Sequence, residues 1–185
     1  MRPITSKEIY HGRIFDLKKE TFRMKGNIIT RDIIYHPGST VMIPLLDVKK
    51  QNIIMIRQYR HAAGGNIIEF PAGTREENES YRTCASRELI EETGYRAKKV
   101  IPIVKFYLAP GTTTEAMGLY LCRGLVNQGQ ELEMDEDIKI FETTLPDAVK
   151  TIFSGKIKDA KTICALLTLK NIYEDKGLYK KYLAS

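Results

Sequence analysis

The chain has 185 residues, with 29 Lys and Arg against 23 Asp and Glu, for a formal net charge of +6. This length suits one domain with a real core, and no run of about 18 apolar residues is present to form a membrane-crossing helix. The basic excess is scattered in pairs such as Lys49-Lys50, Lys98-Lys99 and Lys180-Lys181 rather than gathered in a run, so no nucleic-acid partner is expected.

In chain order, strand-like stretches cover 13–23 and 28–35, separated by the turn-like Lys25-Gly26-Asn27, and Pro37-Gly38 then interrupts the chain. Residues 40–48 and 52–59 are rich in Val, Ile, Leu and Met, as buried strands are, with a charged turn between them. A short strand at 66–70 leads into Pro71-Ala72-Gly73, and a helix is expected over 81–93. Strands follow at 100–108, 117–122 and 137–142, then helices at 145–154 and 159–174. This order predicts an α/β protein, with a mixed sheet flanked by helices over 39–185 and an N-terminal antiparallel β unit at 1–38. Cys84, Cys122 and Cys164 are far apart, without CxxC or zinc spacing, and read as buried free thiols of a reducing compartment. The opening MRPITSKEIYHGRIF lacks the apolar stretch of a signal peptide, and a cytoplasmic location is expected.

The helix at 81–93 carries the chemistry. Ser80 is a suitable N-cap and Gly94 a suitable C′ residue. Tyr81, Cys84, Ala85 and Leu89, spaced by three and four, give it one packed face. Its last two turns hold Arg87, Glu88, Glu91 and Glu92. Glu88 and Glu92 form an i,i+4 like-charge pair, costing about 0.2–0.5 kcal/mol in an isolated helix. Glu91 and Glu92 also stand at the negative end of the macrodipole, a further ~0.3–1 kcal/mol at an exposed site. A solvated acidic face is the ordinary outcome for such a helix. Two broken local rules at one spot point instead to function, and three carboxylates on one surface are hard oxygen donors suited to Mg²⁺ or Mn²⁺.

The full run GTREENESYRTCASRELIEETGY, from Gly73 through Glu79 to Arg87-Glu88-Leu89-Ile90-Glu91-Glu92-Thr93-Gly94, resembles the Nudix box. Every charged and glycine position is filled, and only Tyr95 departs, standing where the family has an aliphatic residue. The resemblance implies a Nudix α/β/α sandwich and hydrolysis of a nucleoside diphosphate linked to another moiety. By the same resemblance Glu88, Glu91, Glu92 and the Ala72 carbonyl are metal ligands, and Arg87 orients the glutamates.

Other segments resemble the ADP-ribose pyrophosphatase branch. Glu69-Phe70-Pro71-Ala72-Gly73 is similar to its E-x-P-A-G, in which Glu69 would contact substrate. Gln58-Tyr59-Arg60 is similar to its Q-x-R, in which Arg60 would meet the diphosphate, and Arg57 just before is a second candidate. Pro110 stands fifteen residues after Tyr95, the position of the branch's marker proline, and Glu115 matches its loop glutamate. Glu115 is therefore the first choice for general base and Glu91 the second, the 110–115 loop being expected to order only around substrate. The N-terminal strands resemble the branch's dimerisation unit, so a homodimer is expected. The implied substrate is ADP-ribose or a related ADP-sugar. GDP-mannose, another nucleoside-diphosphate sugar, or a non-catalytic ligand-sensing module are the alternatives. Asp135-Glu136-Asp137 reads as a solvated loop or a second acidic lobe, Asp159-Ala160-Lys161-Thr162 as a helix start capped by Asp159, and His11, His36 and His61 as structural or surface residues.

Overall fold

The computed structural model describes residues 3–132 and 137–184. Two sheets form. The first is antiparallel, with strands β1 (Thr5–His11), β2 (Asp16–Met24) and β3 (Asn27–Tyr35) side by side. The second contains β4 (Ser39–Asp47), β5 (Asn52–Arg60), β6 (Gly65–Glu69), β7 (Ala72–Thr74), β8 (Tyr95–Tyr107), β9 (Ala116–Asn127) and β10 (Ile138–Thr144). Its order is β10-β5-β4-β9-β8, with β4 and β9 parallel and the other pairs antiparallel.

Helix α1 (Tyr81–Thr93) covers one face of this sheet, and α2 (Leu145–Phe153), α3 (Ala160–Glu174) and α4 (Lys176–Tyr182) cover the other. Alternation along the strands creates the sandwich. Val41, Ile43 and Leu45 of β4 pack with Leu145, Ala165, Leu166 and Leu169, while Met42, between them, packs with Ala85 and Leu89 of α1. In β9, Leu119 and Leu121 go to the first cluster and Tyr120 and Cys122 to the second. Strands buried on both faces read as continuous apolar runs, which is why 40–48 and 52–59 stood out. Among the described residues no helix is long and apolar enough to cross a membrane.

Caps end the helices as the sequence suggested. The Ser80 hydroxyl accepts a hydrogen bond from the Thr83 amide at 3.1 Å, and Gly94 takes a left-handed φ of 72° with its amide on the Ile90 carbonyl at 2.7 Å. Several features differ from the sequence reading, among them the short strand β7, which stands where the sequence shows only a turn at Pro71-Ala72-Gly73. Strand β1 went unseen because every residue of it is exposed, leaving no buried alternation to detect. Strands β8 and β9 run on to Tyr95 and Asn127, since they continue pairing with each other after burial ends. Helix α4 begins at a second cap, where Asp175 accepts from the Leu178 amide at 2.8 Å, and its Lys-Gly start hides it.

One irregularity places the site. Strands β4 and β5 pair only at one end, through Leu45 with Ile53 and Asp47 with Asn52. At the other end β6 takes over the edge of β5 and β7 that of β4. The chain at 69–73 therefore sits in the fork of the sheet, where the Pro71 carbonyl accepts from the Met42 amide at 2.9 Å.

Candidate active site

Helix α1 delivers its charged turn to this fork, and Arg87 gathers the acids around it. Its Nε and Nη2 donate to the two oxygens of Glu79 at 3.1 and 3.0 Å, and Nη1 donates to Glu88 at 2.7 Å and Glu91 at 2.9 Å. A remaining Nη2 bond reaches the Thr74 carbonyl at 3.2 Å. The Glu79 hydrogen bond is the chief cause of an Arg87 pKa raised above its ordinary value. Burial pushes the Glu79 carboxyl up, but the Arg87 bonds and the Glu76 amide outweigh it and hold that carboxyl below its usual range. Only a planar, permanently charged fork can serve three carboxylates in this way.

Glu88 and Glu92, the like-charged pair, take different partners at the 72–73 turn. Glu92 turns inward, 2 % exposed, and accepts from the Ala72 amide at 2.9 Å. Glu88 stays with Arg87 and lies against Gly73 so closely that a Cβ there would stand 1.8 Å from the Glu88 carboxyl carbon. Gly73 is thus required by contact. Because the obstructing atoms end a flexible side chain, Gly73→Ala should fold, with a melting temperature within a few degrees of wild type, while Glu88 is displaced and hydrolytic activity falls at least about tenfold. Equal activity of the two proteins would show that the position of Glu88 does not matter.

A cleft of about 370 Å³ opens beside this turn, lined among others by Arg60, Ala72, Gly73, Thr74, Glu115 and Lys161. Glu115 accepts a 2.6 Å hydrogen bond from the Ser39 hydroxyl. His36 Nδ1 comes within 4.0 Å of the same carboxylate, but that nitrogen accepts from the Gly38 amide at 3.0 Å, so it has no proton to offer Glu115. The 110–115 loop is not free before substrate arrives. Ile34 of β3 donates to the Thr112 carbonyl and accepts from the Thr114 amide, both at 2.9 Å, and the Thr114 hydroxyl accepts from the His36 amide at 3.0 Å. The N-terminal sheet therefore holds the loop that carries Glu115.

Across the cleft, Arg60 Nε donates to Glu69 at 2.8 Å, and the Lys161 ammonium bonds the other Glu69 oxygen. Burial disfavours the Arg60 charge, yet Glu69 more than compensates and raises its pKa. The Glu69 side chain is fully buried, so it lies behind the cleft wall and acts on the cleft through the two cations it holds. Arg57 is not brought here. Three residues from Arg60, it leaves the opposite face of β5, exposed, with its guanidinium 6.0 Å from the Phe141 ring centre. Asp135 and Glu136 lie outside the described residues, and Asp137 is exposed. Cys84 and Cys122 are buried free thiols pushed up to about 12 by burial, whereas Cys164 is partly exposed.

Sequence alone does not mark Ser39, Asp159 or Lys161 as residues that line the cleft. Ser39 carried no signal, because a serine opening a strand is ordinary. The run at 159–162 was visible, but its cap function alone accounts for Asp159, whose carboxylate accepts from the Thr162 amide at 3.0 Å.

The NUDIX domain profile matches residues 36–166. The chain is 37% identical over 168 residues to an ADP-ribose pyrophosphatase of Bacillus subtilis (strain 168), covering 89% of this chain and 90% of that protein. It is 33% identical over 168 residues, with the same coverage, to a methanol dehydrogenase activator of Bacillus methanolicus. A GDP-mannose pyrophosphatase of Escherichia coli (strain K12 / DH10B) is 32% identical over 167 residues, 84% of each chain. Among solved structures, an ADP compounds hydrolase superposes with a TM-score of 0.81 over 96% of both chains at 18% identity, which agrees with the α/β/α sandwich described above. The box around Arg87, the sandwich that carries it and these matches over most of the chain lead to one conclusion: the protein belongs to the NUDIX domain family.

Proposed function

We propose that this chain hydrolyses the diphosphate bond of ADP-ribose or a related ADP-sugar, giving AMP and a sugar phosphate. One observation carries the reading. The 72–74 turn, Glu115 and Arg60 line one cleft, and Glu88, held by Arg87, lies directly against Gly73 of that turn. The relatives named ADP-ribose pyrophosphatase and GDP-mannose pyrophosphatase support a nucleotide sugar as the substrate class.

The donor set fits a hard divalent cation. Glu88, Glu91, Glu92 and the Ala72 carbonyl offer oxygen only, and the missing side chain at Gly73 leaves room for Glu88 beside the turn. Mg²⁺, with Mn²⁺ as a substitute, would be held by these four residues, neutralising phosphate charge and making a water molecule a better nucleophile. Everything else is supplied by the chain. Arg87 sets the directions of Glu79, Glu88 and Glu91. The outer guanidinium nitrogens of Arg60 bind phosphate oxygens, and Glu69 locks that side chain from behind. Glu115, held by Ser39, accepts the proton of the attacking water. Chromatography of products from ADP-ribose, ADP-glucose and GDP-mannose with Mg²⁺ tests this. AMP with ribose 5-phosphate from ADP-ribose is the expected result, and no turnover of any of the three would overturn it.

Residues 1–38 are proposed to form a dimerisation unit. The three-stranded sheet exposes Ile4, Ile9, Tyr10, Ile14, Phe15, Met24 and Ile28, more apolar surface than an isolated hairpin-like unit keeps in water. A homodimer covering these residues is expected. Light scattering at micromolar concentration should report twice the mass of one chain, and a strictly monomeric species would refute the assignment. We infer a cytoplasmic location, a reading the free thiols support because they suit a reducing compartment.

A further inference from the structure

Asp159 and Lys161 line the same cleft but have no part in the reaction just proposed. They end a chain of four charges. Arg60 is bonded to Glu69, Glu69 to Lys161, and Lys161 Nζ to Asp159 Oδ1 at 3.1 Å. Two positive and two negative groups sum to zero. Beyond Arg60, 37% exposed, the chain is buried, with side-chain exposures of 0% at Glu69, 12% at Lys161 and 16% at Asp159. A buried ionic group is weak evidence for stability, because desolvation offsets most of the attraction. Apolar residues could fill this wall with less risk.

Counting donors and acceptors shows what the wall offers. An ammonium has three donors, and Lys161 uses one on Glu69 and one on Asp159. A carboxylate has about four acceptor sites, and Asp159 uses one for the Thr162 amide and one for Lys161. A spare donor and a spare acceptor thus remain side by side at the edge of the cleft. Their positions are fixed, since Thr162 Oγ1 accepts from the Phe70 amide at 2.8 Å and ties the first turn of α3 to the segment bearing Ala72.

A phosphate brings acceptors and negative charge, which suit Lys161 but not Asp159. A hydroxyl pair both donates and accepts, and needs no net charge opposite it. We propose that Asp159 and Lys161 bind a hydroxyl pair on a ribose of the substrate, and so select for the sugar while Arg60 serves the phosphates. This inference rests on the reading of the cleft as a nucleotide-sugar site.

The test compares ADP-ribose with its deoxyribose analogues, each lacking one ribose hydroxyl, by titration calorimetry in EDTA so that no turnover intervenes. Wild type should bind ADP-ribose about tenfold more tightly than at least one analogue. Asp159→Asn, which keeps the cap, and Lys161→Met should each lower ADP-ribose affinity to the level of that analogue, leaving the analogue itself within about twofold. If either folded variant weakens ADP-ribose and all analogues equally, or leaves ADP-ribose unchanged, the assignment fails. Should Lys161→Met not fold, Asp159→Asn decides alone. Wild-type protein that neither binds nor cleaves ADP-ribose would overturn the proposed function and this inference together, whereas a wild type that cleaves it without discriminating the hydroxyls overturns this inference only.

Discussion

Glu92→Gln is expected to leave the fold intact and to remove nearly all hydrolytic activity, a loss of about 10²-fold or more in kcat. The glutamine carbonyl can accept the Ala72 amide bond that Glu92 now accepts at 2.9 Å, so the turn at 72–74 keeps its support. The negative charge is lost, and with it one of the oxygens proposed above to hold the cation. Burying a neutral amide also costs less than burying a carboxylate. Melting without metal should therefore be unchanged or slightly raised. Added Mg²⁺ should raise the melting temperature of wild type through preferential binding to the folded state, and that of the variant much less. A variant that turns over ADP-ribose at the wild-type rate and keeps the full Mg²⁺ response would remove Glu92 from the site.

The second large effect separates the two base candidates. Glu115→Gln should lower kcat by about 10²–10⁴-fold with little change in KM or in the Mg²⁺-linked melting shift. The substitution is conservative in geometry, since an amide oxygen can still accept from Ser39. Glu91 differs in setting. It is partly exposed and shares Arg87 Nη1 with Glu88, so Glu91→Gln should disturb the metal response as well as kcat. If Glu115→Gln retains kcat while Glu91→Gln abolishes it, the base resides on α1. The outcome also bears on the N-terminal sheet, because Ile34 of β3 holds the loop on which Glu115 stands. A truncation that removes β1–β3 should lose more kcat than affinity for the same reason.

The box helix was legible because its signals are local. Caps, apolar spacing and the crowding of like charge are properties of neighbouring residues, and each survives in the structure at Ser80, Leu89, Gly94 and Arg87. The partner of each charge was less legible. That Arg87 would serve Glu91 follows from their i,i+4 spacing, but its bonds to Glu79 depend on how the 75–80 loop turns back onto the helix. In the sequence Arg60 carries the Q-x-R match and Arg57 is a second candidate beside it, and the alternation of β5 at a strand end shared by β6 separates them. Glu69 was expected to face substrate. The short strand that carries it runs into the fork of the sheet, so its carboxylate meets Arg60 and Lys161 instead.

The sequence by itself determined the run of elements from β2 to α3 apart from β7, the two-faced burial of β4 and β5, and the grouping of the α1 carboxylates. Each follows from periodicity or spacing within a window of about twenty residues. Tertiary structure decided which distant groups share the cleft. Glu115 meets Ser39 across 76 positions of sequence, Lys161 meets Glu69 across 92, and Thr114 meets His36 across 78. Such pairs leave no periodic trace, because they arise where separate strands end on the same side of a sheet. Their geometry is set by strand register and by the divergence of β4 from β5, neither of which any single segment encodes.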